Sequence, residues 1–420
     1  MTKDSDTPDT ALAGARHAIV FSGGGANAAY EVGVIKALIR EPTRGGGGRP
    51  IIPEIYTGTS IGALNAAVMV SEADRSTNAA VETLERLWLD RIASSGANNG
   101  LFRFRFNPAY YLDPRTWLPN PLAPLVNMTQ DSLRLLADSV QRTAHAFSGS
   151  ESFEERVLRL IDLSTGVDMS PLEKLIRDEI DVSKISLSTK QLRVIAANWE
   201  EGKPETFDNE DIEDERGYQA ILAAAAIPGV VPSQIVDNAL YVDGAVLSDT
   251  PLLPAIRAHG QDRARNLVIH VVYQDPEAAN VRLPQIPNTF STVYRLYVLA
   301  FARSVSADME AAARINERLR TIQLNRDYLE ELKKSGDPSA GESQARQDLE
   351  DMLREMSRDV ADKIGLTVHR YRPSEPTTGF LGLLDFNRDR IRRLIERGYH
   401  DARKHDCEKS DCLHMKARKG

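Results

Sequence analysis

A serine hydroxyl attacks an acyl carbonyl only with help. It needs a group to take its proton and donors to hold the oxyanion that forms. Three short stretches of this 420-residue chain carry such parts. In "GTSIG", Ser60 lies between Gly58 and Gly62, where the apolar run "IIPEIYTGT" meets the apparent helix "IGALNAAVMVSEA". G-x-S-x-G at a strand-to-helix junction is the nucleophile elbow, whose flanking glycines permit the tight turn that presents the hydroxyl. In other settings the same serine is a plain helix N-cap. "YVDGAVLSDTPL" ends a strand on Asp243, followed by Gly244 in a loop. "IVFSGGGANAAYEVGVIKAL" sets Gly23, Gly24 and Gly25 between a strand and a helix. Bare N–H groups there can face an anion.

That anion could be a phosphate or an oxyanion. Gly23-x-Gly25-x-x-Ala28 satisfies the dinucleotide fingerprint, which also requires an acid at the end of the second strand for the ribose hydroxyls. The second strand ends on Thr59 and Ser60, Glu54 comes too early, and no Lys completes a P-loop. The oxyanion reading is favoured. A base for Ser60 is sought first among eight histidines. His270 sits mid-strand in "LVIHVVY" and reads as buried and structural; His259 follows a helix. His17, His145, His369, His400, His405 and His414 have polar or peripheral contexts. Asp243 is the group at a strand-end turn, so Asp243 is the expected base.

These turns must be positioned by a sheet. Strand, glycine turn, helix, strand, sharp turn, helix over residues 17–73 is the rhythm of a parallel sheet covered on both faces. Residues 96–165, aromatic- and Pro-rich and then polar-helical, read as a cap or insertion. Regular α/β character returns near 168, with helices at 170–180 and 217–230 and strands at 191–200, 238–246 and 266–273. A long helix is predicted over 292–324 from Leu296, Phe301, Val305, Met309, Ala312, Ile315, Leu319 and Ile322, which recur every three or four positions. A charged helix over 343–364 follows the loop "KKSGDPSAGES", and Ile391, Leu394, Ile395 and Tyr399 mark an amphipathic helix near the end. The expected organisation is a disordered N-terminus (1–15), a catalytic domain (16–275), a helical region (276–375), a C-terminal segment packing on the catalytic domain (376–404) and a mobile tail (405–420).

Composition narrows the functions. A formal net charge of −8 without a basic run argues against nucleic acid as a partner. The 42% hydrophobic and 27% charged residues suit a soluble globular protein, for which the cytosol is the default expectation. No secretory signal or eighteen-residue apolar run is visible. Cys407 and Cys412 are the two cysteines; with His405 and His414 they could take an adventitious metal, but a mobile tail is the expected state, and no cofactor or functional metal is expected. "LFRFRFNPAYYLDPRTWLP" alternates Phe and Arg, and "GFLGLLDF" is apolar. Either could meet a membrane surface peripherally; a half-buried strand and packed cap is the favoured alternative. Oligomeric state is not readable.

"GGGANAAYEVGVIKAL", "GTSIGALNAA", "AAAAIPGVVP" and "YVDGAVLSDTPL", in that order, closely resemble the patatin-like phospholipase family, and "GFLGLLDFNRDRIRRLIERGYHDAR" resembles the closing segment of its bacterial members. The resemblance implies a three-layer α/β/α sandwich with a mainly parallel central sheet, plus helical insertions. It implies a metal-free Ser–Asp dyad of Ser60 and Asp243, an oxyanion hole from Gly23, Gly24 and Gly25 with the N–H of Ile61, and lipid acyl esters as substrates. The expected function is a serine acyl hydrolase. An acyltransferase using the same dyad and an inactive lipid- or protein-binding relative are the alternatives. Two departures stand in the first motif, which usually reads Gly-Gly-Gly-x-Arg/Lys-Gly. Asn27 removes a cation, and Ala28 is expected to exclude a positive φ. Ala245 replaces a commoner glycine after Asp-Gly.

Overall fold

The computed structural model describes residues 14–94, 100–105, 107, 111–112, 114, 117, 121–148, 163–260, 265–273, 289–334, 340–358, 365–373 and 383–414. The disordered start expected at 1–15 falls almost wholly outside the described residues. So do Phe106, residues 335–339 of the loop before the charged helix, and residues 415–420.

β1 (Arg16–Phe21) is followed by the glycine turn, a short 3-10 turn (Gly25–Ala28) and α1 (Ala29–Arg40). β2 (Ile55–Thr59) runs straight into α2 (Ile61–Ser71), then α3 (Thr77–Arg86). The insertion contributes β3 (Arg103–Phe104), α4 (Ala123–Ser148) and β4 (Val167–Asp168). α5 (Ser170–Glu179) and α6 (Val182–Ser186) lead to β5 (Gln191–Asn198), β6 (Lys203–Phe207) and α7 (Asp214–Ala224). β7 (Gln234–Val236), β8 (Ala239–Asp243), α8 (Leu252–His259) and β9 (Leu267–Val272) complete the region. α9 (Thr289–Lys334), α10 (Ala340–Arg358), β10 (Leu366–Tyr371) and α11 (Arg388–Arg403) follow.

The main sheet has the order β10-β9-β1-β2-β5-β8-β7, with β6 also on β5. β10, β9, β1, β2 and β5 are parallel; β6, β7 and β8 enter antiparallel. Alternation in β1 explains the layers. Ile19 and Phe21 face a core built with α1, α2, α3, α7 and α11, while Ala18 and Val20 face α8 and α9. Helices on both faces of a mostly parallel sheet make the α/β/α sandwich.

The helical region expected through residue 375 ends instead as a strand. "LTVHRY" pairs with β9 as the last strand of the sheet. Leu366, Val368, His369 and Tyr371 are buried in it, and the polar Thr367, His369 and Arg370 mask it as a strand in the sequence. α9 begins earlier and runs later than predicted, as one 46-residue helix. Val305, Met309 and Ala312 pack on the sheet, whereas Ile322 and Leu329 form a separate small cluster with Leu353 of α10.

α11 crosses α1 in backbone contact. A Cβ on Gly33 would lie 1.9 Å from the Ile395 carbonyl oxygen, and one on Gly398 would lie 2.0 Å from that of Tyr30. Tyr30 Oη donates to Asp401 at 3.1 Å, and Tyr399 Oη donates to Glu41 at 2.6 Å. The C-terminal segment therefore packs on the helix that follows the glycine turn.

Candidate active site

The elbow is sterically specified. Ser60 has φ 52° and ψ −137°, a combination that strains any residue with a Cβ, at roughly 1–3 kcal/mol. A Cβ on Gly58 would meet the Gly62 carbonyl oxygen at 2.3 Å, and one on Gly62 would meet that of Ser22 at 2.4 Å. Both flanking positions must be glycine for the turn to close against the end of β1. The register sets Phe21 opposite Gly58, so the glycine turn and the elbow leave the same sheet edge side by side.

Asp243 reaches this edge by an unexpected route. β5 residues 194 and 195 pair with both β2 and β6, so those two strands occupy opposite edges of β5. Residues 196–198 pair with both β6 and β8, so β8 also lies opposite β6. β2 and β8 therefore share one edge of β5, end to end, running toward each other. β2 ends at Thr59 and β8 at Asp243, which brings the serine and the acid together. The end of α7 fixes both: Ala224 O accepts the Ser60 N–H at 3.0 Å, and Ala226 O accepts the Asp243 N–H at 2.8 Å. Ala224 O is a carbonyl that the helix end leaves without an intrahelical partner, and Ala226 follows two residues later. "AAAAIPGVVP" is thus a positioning element, a role that its small apolar residues did not reveal.

Asp243 is fully buried. Its Oδ1 accepts the Ala245 N–H at 2.9 Å, and its Oδ2 has no hydrogen bond of ordinary length. Burial pushes the carboxyl up to about 7, against the opposing pull of the Ser60 hydroxyl and the Ala245 N–H. An acid raised in this way is a stronger base when ionised.

The glycine turn sits directly over Ser60. A Cβ on Gly23 would lie 3.0 Å from the Ser60 Cβ, 3.1 Å from Asp249 Oδ1 and 3.3 Å from the Ala245 Cβ. Gly23 donates its N–H to Asp249 Oδ1 at 2.8 Å, so that donor is already engaged. Gly24 (φ 154°) and Gly25 (φ 53°) carry the turn through conformations favouring glycine. Ile61 opens α2, where the first N–H groups lack partners within the helix.

Ala28 has φ −64° and ψ −9°, ordinary right-handed backbone, so the expected conflict with a Cβ does not arise. Asn27 is met by Arg390 of α11, whose Nη2 donates to Asn27 Oδ1. The cation absent from the motif arrives from the far end of the chain.

Two buried acids and a half-buried one went unnoticed in the sequence. Burial holds Glu31 well above its ordinary range, although Asn65 and Ser22 hydrogen-bond it. Trp88 Nε1 in turn donates to Asn65 Oδ1 at 2.8 Å. Asp249 is raised by burial, against the Gly23 N–H and with help from the charges of Asp243, Glu31 and Asp308. Asp308, raised to about 6 mainly by burial, accepts from Thr250 Oγ1 at 3.2 Å. The run "LSDTPL" gives no periodic signal that Asp249 is interior.

Among the histidines, His270 is buried mid-strand as expected, with His17 Nδ1 3.0 Å from its Nε2. In "LFRFRF" the arginines turn inward. Arg103 bridges Asp131 at 2.7 Å and Asp168 at 2.8 Å, and Phe102 stacks edge-on with Phe386. Phe104 remains 44% exposed. No helix among the described residues is long and apolar enough to cross a membrane.

The molecule is thus an α/β/α sandwich with a glycine turn and a serine turn side by side at one sheet edge. The chain belongs to the patatin-like phospholipase family, whose model matches residues 19–256. Among curated proteins there is no significant match. Among solved structures, VipD from Legionella pneumophila is similar over 94% of this chain and 67% of its own, with 13% identity and a TM-score of 0.37. At that distance the likeness transfers nothing about residues or activity.

Proposed function

We propose that the protein hydrolyses lipid acyl esters through a dyad of Ser60 and Asp243. The observation that carries this reading is the end-to-end meeting of β2 and β8, which sets a strained serine beside a buried, partly unpartnered carboxylate. Ser60 Oγ attacks the acyl carbonyl while Asp243 accepts its proton. The N–H groups of Gly24, Gly25 and Ile61 hold the oxyanion; Gly23 contributes by shaping the turn. The C–O bond breaks, Asp243 returns the proton to the departing alkoxide, and the acyl group stays on Ser60. Water then attacks the acyl-enzyme with Asp243 again as base, the Ser60 Oγ–acyl bond breaks, and Asp243 returns the proton to Ser60 Oγ as the fatty acid leaves. Catalytic hydrogen bonds are commonly long before substrate binds, which fits the open Asp243 Oδ2.

The test is labelling by a fluorophosphonate together with hydrolysis of a short-chain ester. Ser60→Ala abolishes labelling, and Ser60→Ala and Asp243→Asn each lower kcat by at least about 10³-fold. Full turnover by either variant would sink the dyad. An unreactive Ser60 in a protein that still binds lipid would support the inactive alternative. Acyl transfer uses the same residues and would appear as a new ester when an acceptor alcohol is supplied.

Peripheral membrane contact is supported by α4, where Leu125, Met128, Leu133 and Leu136 are exposed. Leu133→Asp with Leu136→Asp should reduce co-sedimentation with phosphatidylcholine vesicles while sparing hydrolysis of a soluble ester. Unchanged sedimentation would dismiss this helix.

A further inference from the structure

Residues 405–414, expected to begin a mobile tail, are bound to the edge of the main sheet. Val368 of β10 donates its N–H to Leu413 O at 2.8 Å and accepts the Leu413 N–H at 3.0 Å. Between α11 and this bridge the chain turns through Asp406–Asp411. The Cys412 N–H reaches Cys407 O at 2.9 Å, and Asp411 takes φ 51° to bring the second cysteine back beside the first.

That turn completes a cluster. His369 of β10, His405, Cys407 and Cys412 each offer one ligand atom, and these four atoms all lie within 4.8 Å of one another. His369 Nδ1 is 3.6 Å from Cys407 Sγ, and His405 Nε2 is 3.3 Å from Cys412 Sγ. For a zinc ion with Zn–S of about 2.3 Å and Zn–N of about 2.0–2.1 Å, tetrahedral geometry separates neighbouring ligand atoms by roughly 3.3–3.8 Å. Both observed S···N distances are edges of such a tetrahedron. Two thiolates and two imidazoles are also the donor set of closed structural zinc sites.

The surroundings suit ligation. The Arg370 N–H points at Cys412 Sγ at 3.4 Å, an outer hydrogen bond of the kind that steadies a metal-bound thiolate. The His369 ring stacks on buried His270 at 5.4 Å, and the Tyr371 ring lies 4.4 Å from that of His405. The four donors are held by β10 (His369), the exit of α11 (His405), the Asp406–Asp411 turn (Cys407) and the residue between that turn and the bridge to Val368 (Cys412). Both cysteines are free rather than joined.

We propose that His369, His405, Cys407 and Cys412 form a structural zinc site that fastens the C-terminal segment to β10. Four protein ligands leave no open position, so the ion holds structure and takes no part in ester cleavage. It also anchors the far end of α11, the helix whose other end brings Arg390 to the glycine turn. The assignment is independent of the hydrolase reading.

The test uses the full-length protein, kept reduced throughout, with metal content measured by mass spectrometry. Wild type is expected to hold one zinc per chain, and Cys407→Ser with Cys412→Ser to lose it. Stripped wild type titrated with Co²⁺ should show thiolate-to-cobalt charge transfer and tetrahedral ligand-field bands, saturating at one equivalent. Should the double variant fail to fold, single variants decide the matter: His369→Gln loses the cobalt spectrum and His414→Gln keeps it. Chelation should lower the Tm of wild type and leave the serine variant unmoved, with hydrolysis of a soluble ester retained in both. Metal-free wild type that gives no cobalt spectrum would overturn the site. Equal zinc content in wild type and the double serine variant would do the same.

Discussion

The glycine turn is gripped from two sides, and the grips differ in kind. On the inner side Asp249 accepts the Gly23 N–H, with donor and acceptor both buried. On the outer side Arg390 meets Asn27 with its side chain still 13% exposed, and it also donates to Asp385 O at 3.0 Å. A buried donor stripped of its acceptor costs about 1–3 kcal/mol, whereas a group that keeps access to water can replace a lost partner with solvent and loses less. The inner grip should therefore fix the geometry of the oxyanion donors, and the outer grip should trim it.

The inner grip gives the largest expected effect. Asp249→Leu leaves the Gly23 N–H without a partner and frees the turn above Ser60. Its kcat should fall on the order of 100-fold, comparable to losing one oxyanion donor. Asp249→Asn keeps a carbonyl acceptor. Burial raises Asp249 and so favours its neutral acid form, which an amide resembles in shape and in keeping a carbonyl acceptor. The Asn variant should stay within a few-fold of wild type at pH 7. Equal losses in Leu and Asn would break the comparison, since charge and not the hydrogen bond would then matter.

The turn itself comes next. Gly25 has φ 53°, and a Cβ there would sit 2.4 Å from the Leu383 carbonyl oxygen. Gly25→Ala should cost roughly 10-fold or more in kcat, because it strains the backbone and pushes on the chain entering α11 at once. A kcat unchanged from wild type would show that the turn tolerates movement and is not a preorganised donor set.

The pH dependence separates the base from the grip. As the proposed base Asp243 would act only when ionised, and its carboxyl is raised to about 7, so kcat/KM should rise with pH and level off above that value. Asp249→Asn should leave this midpoint in place. The stability effect has the opposite sign. An acid whose folded pKa lies above its unfolded value loses stability as pH rises from the unfolded pKa, 3.8 for Asp243, through the folded one, about 7. Asp243→Asn should accordingly melt higher than wild type at pH 8, by a few °C, and the gap should close toward pH 4. A variant less stable than wild type at pH 8 would mean that Asp243 is not desolvated at a cost.

Much of the candidate site was legible because tight turns admit few residue types. Gly58, Ser60, Gly62, Asp243 and the three glycines are constrained by backbone approach and leave a pattern in sequence. What was hidden depends on where strands go. That β8 comes back antiparallel to meet β2 follows from how β5 shares its edges, and no spacing encodes it. β10 was lost because His369 and Arg370 interrupt its apolar run. With it went the histidine that turns a Cys/His-rich tail into a compact cluster. Arg390 lies in "RDRIRR", a charge run that reads as a solvated helix face, and Asp249 lies in a loop without periodicity.

Arg390 also revises the meaning of Asn27. From sequence alone Asn27 marked a lost cation; in the fold a guanidinium from α11 stands against it. Burial lowers the pKa of Arg390, with Asp385 opposing, but the group keeps its charge beside the turn. Arg390→Met should lower kcat only about 2–5-fold, in line with a partly solvated pair, with KM for a soluble ester unchanged. The sharper experiment moves the charge. Asn27→Lys combined with Arg390→Met puts a cation on the turn itself and removes the one that arrives from α11. Recovery toward wild-type kcat would mean that the turn needs a nearby positive charge, whichever segment supplies it. Further loss would mean that the Arg390–Asn27 hydrogen bond positions the turn by shape, and the outer grip would then resemble the inner one.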